Sequence, residues 1–221
     1  MIPELPTIRL ISATAQINGP VRRAGTMSRM TLEERIRRAV QEEITIASYD
    51  PRWPELFEQE RRHLRSCLPH DLLGRIEHFG STAVPGMPSK PIVDMLVEVT
   101  DLEATKSRIV PVLESQGYDY FWRPTFSDNV PPYYVWFIKR NGARIRTHHI
   151  HMIEATTTFS EHWEALRFRD YLTDHPDVAH EYAELKTRLC EAHRNDRVAY
   201  TSGKSDFIAK VMALVRQTPA P

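Results

Sequence analysis

Three groups of residues in this sequence have types and spacings that can do chemistry. Asp94 stands in the run Ile92-Val93-Asp94-Met95-Leu96-Val97, flanked by apolar residues in both directions. On a strand those neighbours line both faces, and an ionised carboxylate among them is costly unless a cation or several donors satisfy it. A metal, a ligand or a catalytic role meets that need, and so does a structural ion pair with an arginine such as Arg146. Perturbed acids concentrate at functional sites, which favours the first reading. Gly80-Ser81-Thr82 is the second group. Glycine lets the backbone approach an anion, and successive N–H groups with two hydroxyls form a phosphate cradle; a plain turn uses the same residues. The third is His148-His149-Ile150-His151. Residues two apart on a strand share a face, so His149 and His151 point together and His148 points away. Two such imidazoles can bind a transition metal or position a ligand, or they can simply be hydrogen-bonded at a sheet surface. No His-Glu-x-x-His motif or cysteine pair completes a zinc site. Gly203-Lys204-Ser205 imitates the end of a P-loop, but Val198 replaces the first glycine and no apolar strand precedes it.

The elements that position these residues follow from periodicity and punctuation. Ile44 to Tyr49 reads as a short strand stopped by Asp50-Pro51, and Pro54 opens a helix to about Leu68. Arg75 to Phe79 is strand-like and ends at Gly80. The connection Val84-Pro85-Gly86-Met87-Pro88 leaves no room for a regular element. Ile92 to Val99 is apolar on both faces, as an interior strand should be. A helix from Leu102 to Gln116 ends at Gly117. Tyr118 to Trp122, Tyr133 to Lys139 and Arg144 to Ile153 are further strands, the last two joined by an Asn141-Gly142 turn. The C-terminal third is helical: a capping box at Thr158 and Glu161, a second helix capped by Asp174 before Pro176 with Val178, Tyr182, Leu185 and Leu189 inward, and a last helix carrying Phe207, Ile208, Val211, Leu214 and Val215. The expected fold is α+β, a mixed sheet flanked by helices with a C-terminal helical block.

Residues 1–29 stand apart, with four arginines, one acid (Glu4) and no periodicity. They read as a disordered leader, with an organelle-targeting peptide as the other reading; Met27 and Met30 are alternative starts. A short charged helix from Thr31 to Glu43 follows, with Thr31 and Glu34 in capping-box spacing. The expected domain is 44–216, with 217–221 as a tail.

Hydrophobic residues make up 41% and charged residues 26% of the 221, the balance of a folded globular chain. Lys plus Arg and Asp plus Glu both total 29, and no basic run occurs, so neither general nucleic-acid binding nor attraction to anionic lipid is expected. No stretch reaches the ~18 apolar residues of a membrane span. Cys67 and Cys190 are expected as free thiols, which suits the cytoplasm.

Together these residues resemble the GrpB-like family, whose fold is of the nucleotidyltransferase type. The likeness runs from about Ile44 to Val215. It rests on Tyr49-Asp50-Pro51 with Trp53-Pro54, on His78-Phe79-Gly80-Ser81-Thr82-Ala83-Val84-Pro85-Gly86, and on Lys90-Pro91-Ile92-Val93-Asp94. Further on it rests on His149-Ile150-His151, Phe168-Arg169-Asp170-Tyr171-Leu172, Tyr182 with Lys186, and Tyr200 with Lys204. The wider nucleotidyltransferase pattern has a Gly-Ser turn before a strand with two acids one residue apart, plus a third acid on a later strand. Here Gly80-Ser81 and Asp94 match, Leu96 takes the second acid's place, and His149 and His151 stand where the third acid would be.

The resemblance implies a site in which Gly80, Ser81, Thr82, Lys90, Arg169, Lys186 and Lys204 hold a nucleotide or other small phosphorylated ligand. Asp94, His149 and His151 would be its catalytic or metal-holding groups, with a divalent ion (Mg, Mn or Zn) as the implied cofactor. Lysine and arginine on helices also serve as solvated surface, which is the plainer reading of Lys186 and Lys204. Three functions are therefore expected to compete: nucleotidyl or phosphoryl transfer, a catalytically inactive nucleotide- or phosphate-binding module, and metal-dependent hydrolysis by Asp94 with the two histidines.

Overall fold

The computed structural model describes residues 31–125 and 130–217. The expected leader and the last residues of the tail lie outside them. The first helix, α1 (Leu32–Gln41), begins with the expected capping box, the Thr31 and Glu34 side chains each accepting from the other's backbone N–H. The remaining elements are α2 (Trp53–Cys67), β1 (Leu73–Phe79), β2 (Val93–Val99), α3 (Leu102–Arg108), α4 (Val110–Ser115), β3 (Asp119–Pro124), β4 (Tyr133–Arg140) and β5 (Arg146–Ile153). The helical block follows as α5 (Ser160–Asp174), α6 (Pro176–Ala192), α7 (Arg197–Ser202) and α8 (Ser205–Gln217).

The five strands form one mixed sheet in the order β1-β2-β5-β4-β3. Only β2 and β5 run parallel; the other pairs are antiparallel. The expected α+β architecture is the one observed. β2 is an interior strand because Val93, Met95, Leu96, Val97 and Val99 all need cover, and neighbours on both edges and both faces supply it. α2 packs on β1 and β2, α3 on β4 and α4 on β3, building the main core around Leu64, Ile109, Leu113, Phe137 and Ile150. On the other face α5 rests on β1 and carries α6 and α8. The cores of that helical block, around Leu172 with Tyr182 and Val211 with Val215, are separate from the sheet's core. A cleft therefore opens between sheet and helices.

Local differences from the sequence expectations have physical causes. Ile44 to Tyr49 forms a single bridge, Ala47 with Ser89, rather than a strand. Its first residue bonds α6 and the turn after it instead: Ile44 N–H donates to the Arg194 carbonyl (2.8 Å) and its own carbonyl accepts from Cys190 Sγ (3.3 Å). The helix expected over 102–116 breaks at Ile109, because Pro111 has no N–H to continue the ladder and is best placed in the first turn of a new helix. After β4 the left-handed residue is Arg144 (φ +61°), not Asn141 or Gly142. Neither Thr158 nor Asp174 caps a helix: Thr158 lies in a 3-10 turn, Thr157–Phe159, and Asp174 ends α5. α7 was not expected from the sequence; Asp196 caps it by accepting from Val198 and Ala199 N–H.

Asp101 caps α3, its carboxylate 2.6 Å from the Ala104 N–H. Asp101→Ala should lower stability by ~1 kcal/mol, read from denaturant midpoints at unchanged slope. An unchanged midpoint would show that the cap contributes nothing.

Candidate functional site

The parallel pairing of β2 with β5 sets Asp94 beside His149 and Leu96 beside His151, while Phe79, the last residue of β1, pairs with Asp94 from the other side. The turn after Phe79 thus passes directly over the Asp94 carboxylate. Gly80 makes this feasible. Its backbone sits at φ +72°, and a Cβ there would lie 2.6 Å from Asp94 Oδ2. Glycine is required on both counts.

Asp94, Gly80 and the two histidines line a cleft of about 850 Å³ between the sheet and the helical block. Asp94 opens into it, its side chain 27% exposed, so its apolar setting along the strand does not amount to full burial. Burial nevertheless raises its pKa above the ordinary carboxylate range, against the opposing pull of His151, Lys90 and Lys204. The ion pair with Arg146 weighed from the sequence is relayed rather than direct. Arg146 Nη1 donates to His149 Nε2 (3.0 Å), and His149 Nδ1 donates to Asp94 Oδ1 (2.9 Å). Burial, then the Arg146 charge, holds His149 far below the normal histidine pKa, so the ring is neutral.

This chain of bonds tests the three-ligand metal site. Ligand atoms of Asp94, His149 and His151 do lie within 4.8 Å of one another. A guanidinium only donates, so Nε2 of His149 must offer its lone pair to Arg146 and Nδ1 must carry the proton shared with Asp94. A metal needs a bare imidazole nitrogen. His149 in this arrangement has none to give, and Asp94 with His151 make only two ligands. The residues do not fit a three-ligand ion. His151 is kept neutral mainly by burial; its Nδ1 has no hydrogen-bond partner, and its ring sits between Phe79 and Tyr134.

The cationic residues divide into two sets. Lys90 and Lys204 lie over the Tyr200 ring at 5.0 and 4.9 Å, both lining the cleft. Among the described residues neither has a carboxylate within ion-pair distance. Burial, with Lys204 and Arg197 next, pushes the Lys90 pKa well down, and burial lowers Lys204 to about 8. The other set is committed elsewhere. Arg169 donates to the His78 carbonyl (2.7 Å) and pairs with Asp170 (2.6 Å). Lys186, 2% exposed, donates to the Pro88 carbonyl (2.7 Å) beneath the loop that carries Lys90, and burial lowers it to about 7. The solvated-face reading of Lys186 does not hold, and its visible contact is with protein. Thr82 is also occupied: its hydroxyl donates to the Ile92 carbonyl and accepts from His78. Ser81 and Tyr182 both line the cleft.

Sequence reasoning missed Arg197 and Arg123, which also line the cleft. Arg123 lies 4.5 Å over the Trp136 ring, and Arg197 reaches back to the Glu42 carbonyl (2.9 Å). No local pattern marks either one, since both are brought in by packing from distant elements. Cys67 and Cys190 are free thiols, as expected, and no helix among the described residues is long and apolar enough to cross a membrane.

Comparison with known proteins bears on the family and the fold. The model of the GrpB protein family matches residues 43–214. The chain belongs to the GrpB family. A UPF0157 protein of Pseudomonas aeruginosa is 38% identical over 171 residues, covering 76% of this chain and 66% of the relative. The UPF0157 protein YqkA of Bacillus subtilis is 34% identical over 165 residues, covering 75% of this chain but 45% of the relative. The chain thus spans less than two thirds of either relative. The crystal structure of the conserved protein GrpB from Enterococcus faecalis is 32% identical with a TM-score of 0.66, covering 78% of this chain and 98% of that one. The GrpB match begins at residue 43, so α1 and Glu42 precede it.

Proposed function

We propose that this GrpB-family chain binds a small phosphorylated ligand, nucleotides included, at Lys90, Lys204 and the Gly80-Ser81 turn, without a resident metal cluster. The observation that carries the reading is the lysine pair. Two desolvated ammonium groups flank Tyr200 with no carboxylate partner among the described residues, an arrangement that an incoming anion would relieve. The backbone of the Gly80 turn, held open by the absence of a side chain, supports the same role. The hydrolase alternative needs His149 as a ligand, and Arg146 already takes that lone pair.

One observation favours a second reading, nucleotidyl or phosphoryl transfer. Asp94 is oriented by His149 and has a raised pKa, which suits a carboxylate that accepts a proton from an attacking hydroxyl. Thermal-shift titration with inorganic phosphate, AMP and ATP separates the readings. In EDTA, the melting temperature should climb with ligand concentration, by an increment equivalent to ~2.7 kcal/mol at a hundredfold excess over Kd. A shift that appears only with Mg²⁺, Mn²⁺ or Zn²⁺ and vanishes in Asp94→Asn would replace the binding module with a metal-dependent transferase. No shift with any compound would end the phosphate reading.

A further inference from the structure

Glu42, immediately before the family-matched segment, holds the arginines at the back of the cleft. Its carboxylate pairs with Arg146 (2.9 Å), Arg197 (3.7 Å) and Arg140, and its side chain is only 24% exposed. Backbone carbonyls of the same segment complete the hold. Ala39 accepts from Arg146 (3.0 Å) and Glu42 from Arg197 (2.9 Å). Arg146 and Arg197 both line the cleft, and both are near enough to Lys90 to disfavour its charge. Without Glu42, Arg146 and Arg197 would join Lys90 and Lys204 as cations facing the cleft, which Arg123, over the Trp136 ring, also lines. With it, one negative charge is shared among Arg146, Arg197 and Arg140, which weakens the positive charge that Arg146 and Arg197 present to the cleft. Among the described residues this leaves the lysine pair as the cations without a bonded carboxylate on this side. Of the other acids lining the cleft, Glu164 is paired with Arg216 (2.7 Å), Asp94 is bonded to His149, and Glu161 and Asp206 are solvent-exposed.

We propose that Glu42 determines which anions the cleft accepts: it reserves the site for a ligand presenting one compact phosphate and disfavours the more highly charged pyrophosphate group. This inference rests on the phosphate-binding reading above. Pyrophosphate needs a longer run of cations than the lysine pair provides, and Glu42 covers the cations that would extend it. Glu42 acts through Arg146 and Arg197, so it is a positioning residue.

The test uses the full chain and two probes, inorganic phosphate and pyrophosphate, titrated calorimetrically in EDTA. Wild type should bind inorganic phosphate more tightly than pyrophosphate, and a wild-type preference for pyrophosphate would overturn the proposal. Glu42→Gln, which keeps the shape and removes the charge, should raise pyrophosphate affinity about tenfold relative to phosphate, the worth of one more charge-assisted contact. Glu42→Asp should restore the wild-type ratio. A purely structural role would lower the melting temperature of Glu42→Gln and leave the ratio of affinities unmoved. Binding of both probes with an unchanged ratio in Glu42→Gln overturns the inference about Glu42 alone. Failure of both probes to bind wild type and either variant, all folded by circular dichroism, overturns the phosphate reading with it. Should Glu42→Gln not fold, Arg197→Gln provides the same measurement from the other side: pyrophosphate should gain nothing there, and a tenfold gain would contradict the proposal.

Discussion

Alanine at both Lys90 and Lys204 is expected to weaken phosphorylated-ligand binding by roughly a hundredfold or more while leaving the fold at least as stable. Each ammonium that bonds a phosphate oxygen contributes ~1.5–3 kcal/mol, so loss of two exceeds the factor of a hundred that corresponds to about 2.8 kcal/mol. The stability expectation has the opposite sign because burial opposes the charge of both lysines, and alanine removes that penalty. A surface pair would show neither effect. The pH dependence supplies a second signature. Burial brings the Lys204 ammonium down to about 8 in the folded chain, against 10.5 for an ordinary lysine. Between these values the unfolded chain holds a proton that the folded chain has released, so unfolding takes up a proton and stability rises with pH across the window. Affinity for a phosphate should fall over the same range as the ammonium is lost. Denaturant melts and ligand titrations near pH ~7.5 and ~9.5, on wild type and Lys204→Ala, measure both slopes. Equal slopes in the two proteins would show that Lys204 is an ordinary solvated lysine.

Gly80→Ala should destabilise the protein by roughly 3 kcal/mol and lower its melting temperature by about 10 °C. Two costs combine. The backbone at φ +72° and ψ −173° lies where essentially only glycine is found, a strain of ~1–3 kcal/mol for any other residue. The new methyl would also meet Asp94 Oδ2 at 2.6 Å and Asp94 Cβ at 3.1 Å. Asp94 cannot simply retreat, because its other oxygen is bonded to His149 and its backbone is paired with Phe79. Adding Asp94→Ala to Gly80→Ala should recover the part due to the carboxylate and leave the backbone cost, which a double-mutant cycle resolves. Additive effects in that cycle would mean that Gly80 and Asp94 do not depend on each other.

Much of this was legible in the sequence. Alternation placed His149 and His151 on one face and His148 on the other, where it bonds Thr147 and faces away from the cleft. The apolar run around Asp94 identified an interior strand, and the glycine after β1 marked the turn that crosses it. Helix ends were read less well. Asp174 and Thr158 have the right side chains for caps, but packing of the helical block set the boundaries elsewhere. The α1 capping box, which needs only four consecutive residues, forms where the spacing of Thr31 and Glu34 predicts it.

The sequence alone determined the fold class and the strand that bears Asp94, and it offered residues whose chemistry suits an anion, because these follow from local periodicity and residue type. It could not determine which of those residues are available. Thr82, Arg169 and Lys186 carry suitable groups, yet each is bonded to a carbonyl that only the folded chain brings within reach. His149 looks like a metal ligand until Arg146 and Asp94 fix its proton. Glu42 reads as one acid in a charged helix until it meets arginines contributed by β4, β5 and α7. Availability depends on hydrogen bonds between residues far apart in the chain. A donor's partner is therefore decided by tertiary packing, whereas its chemical type is written in the sequence.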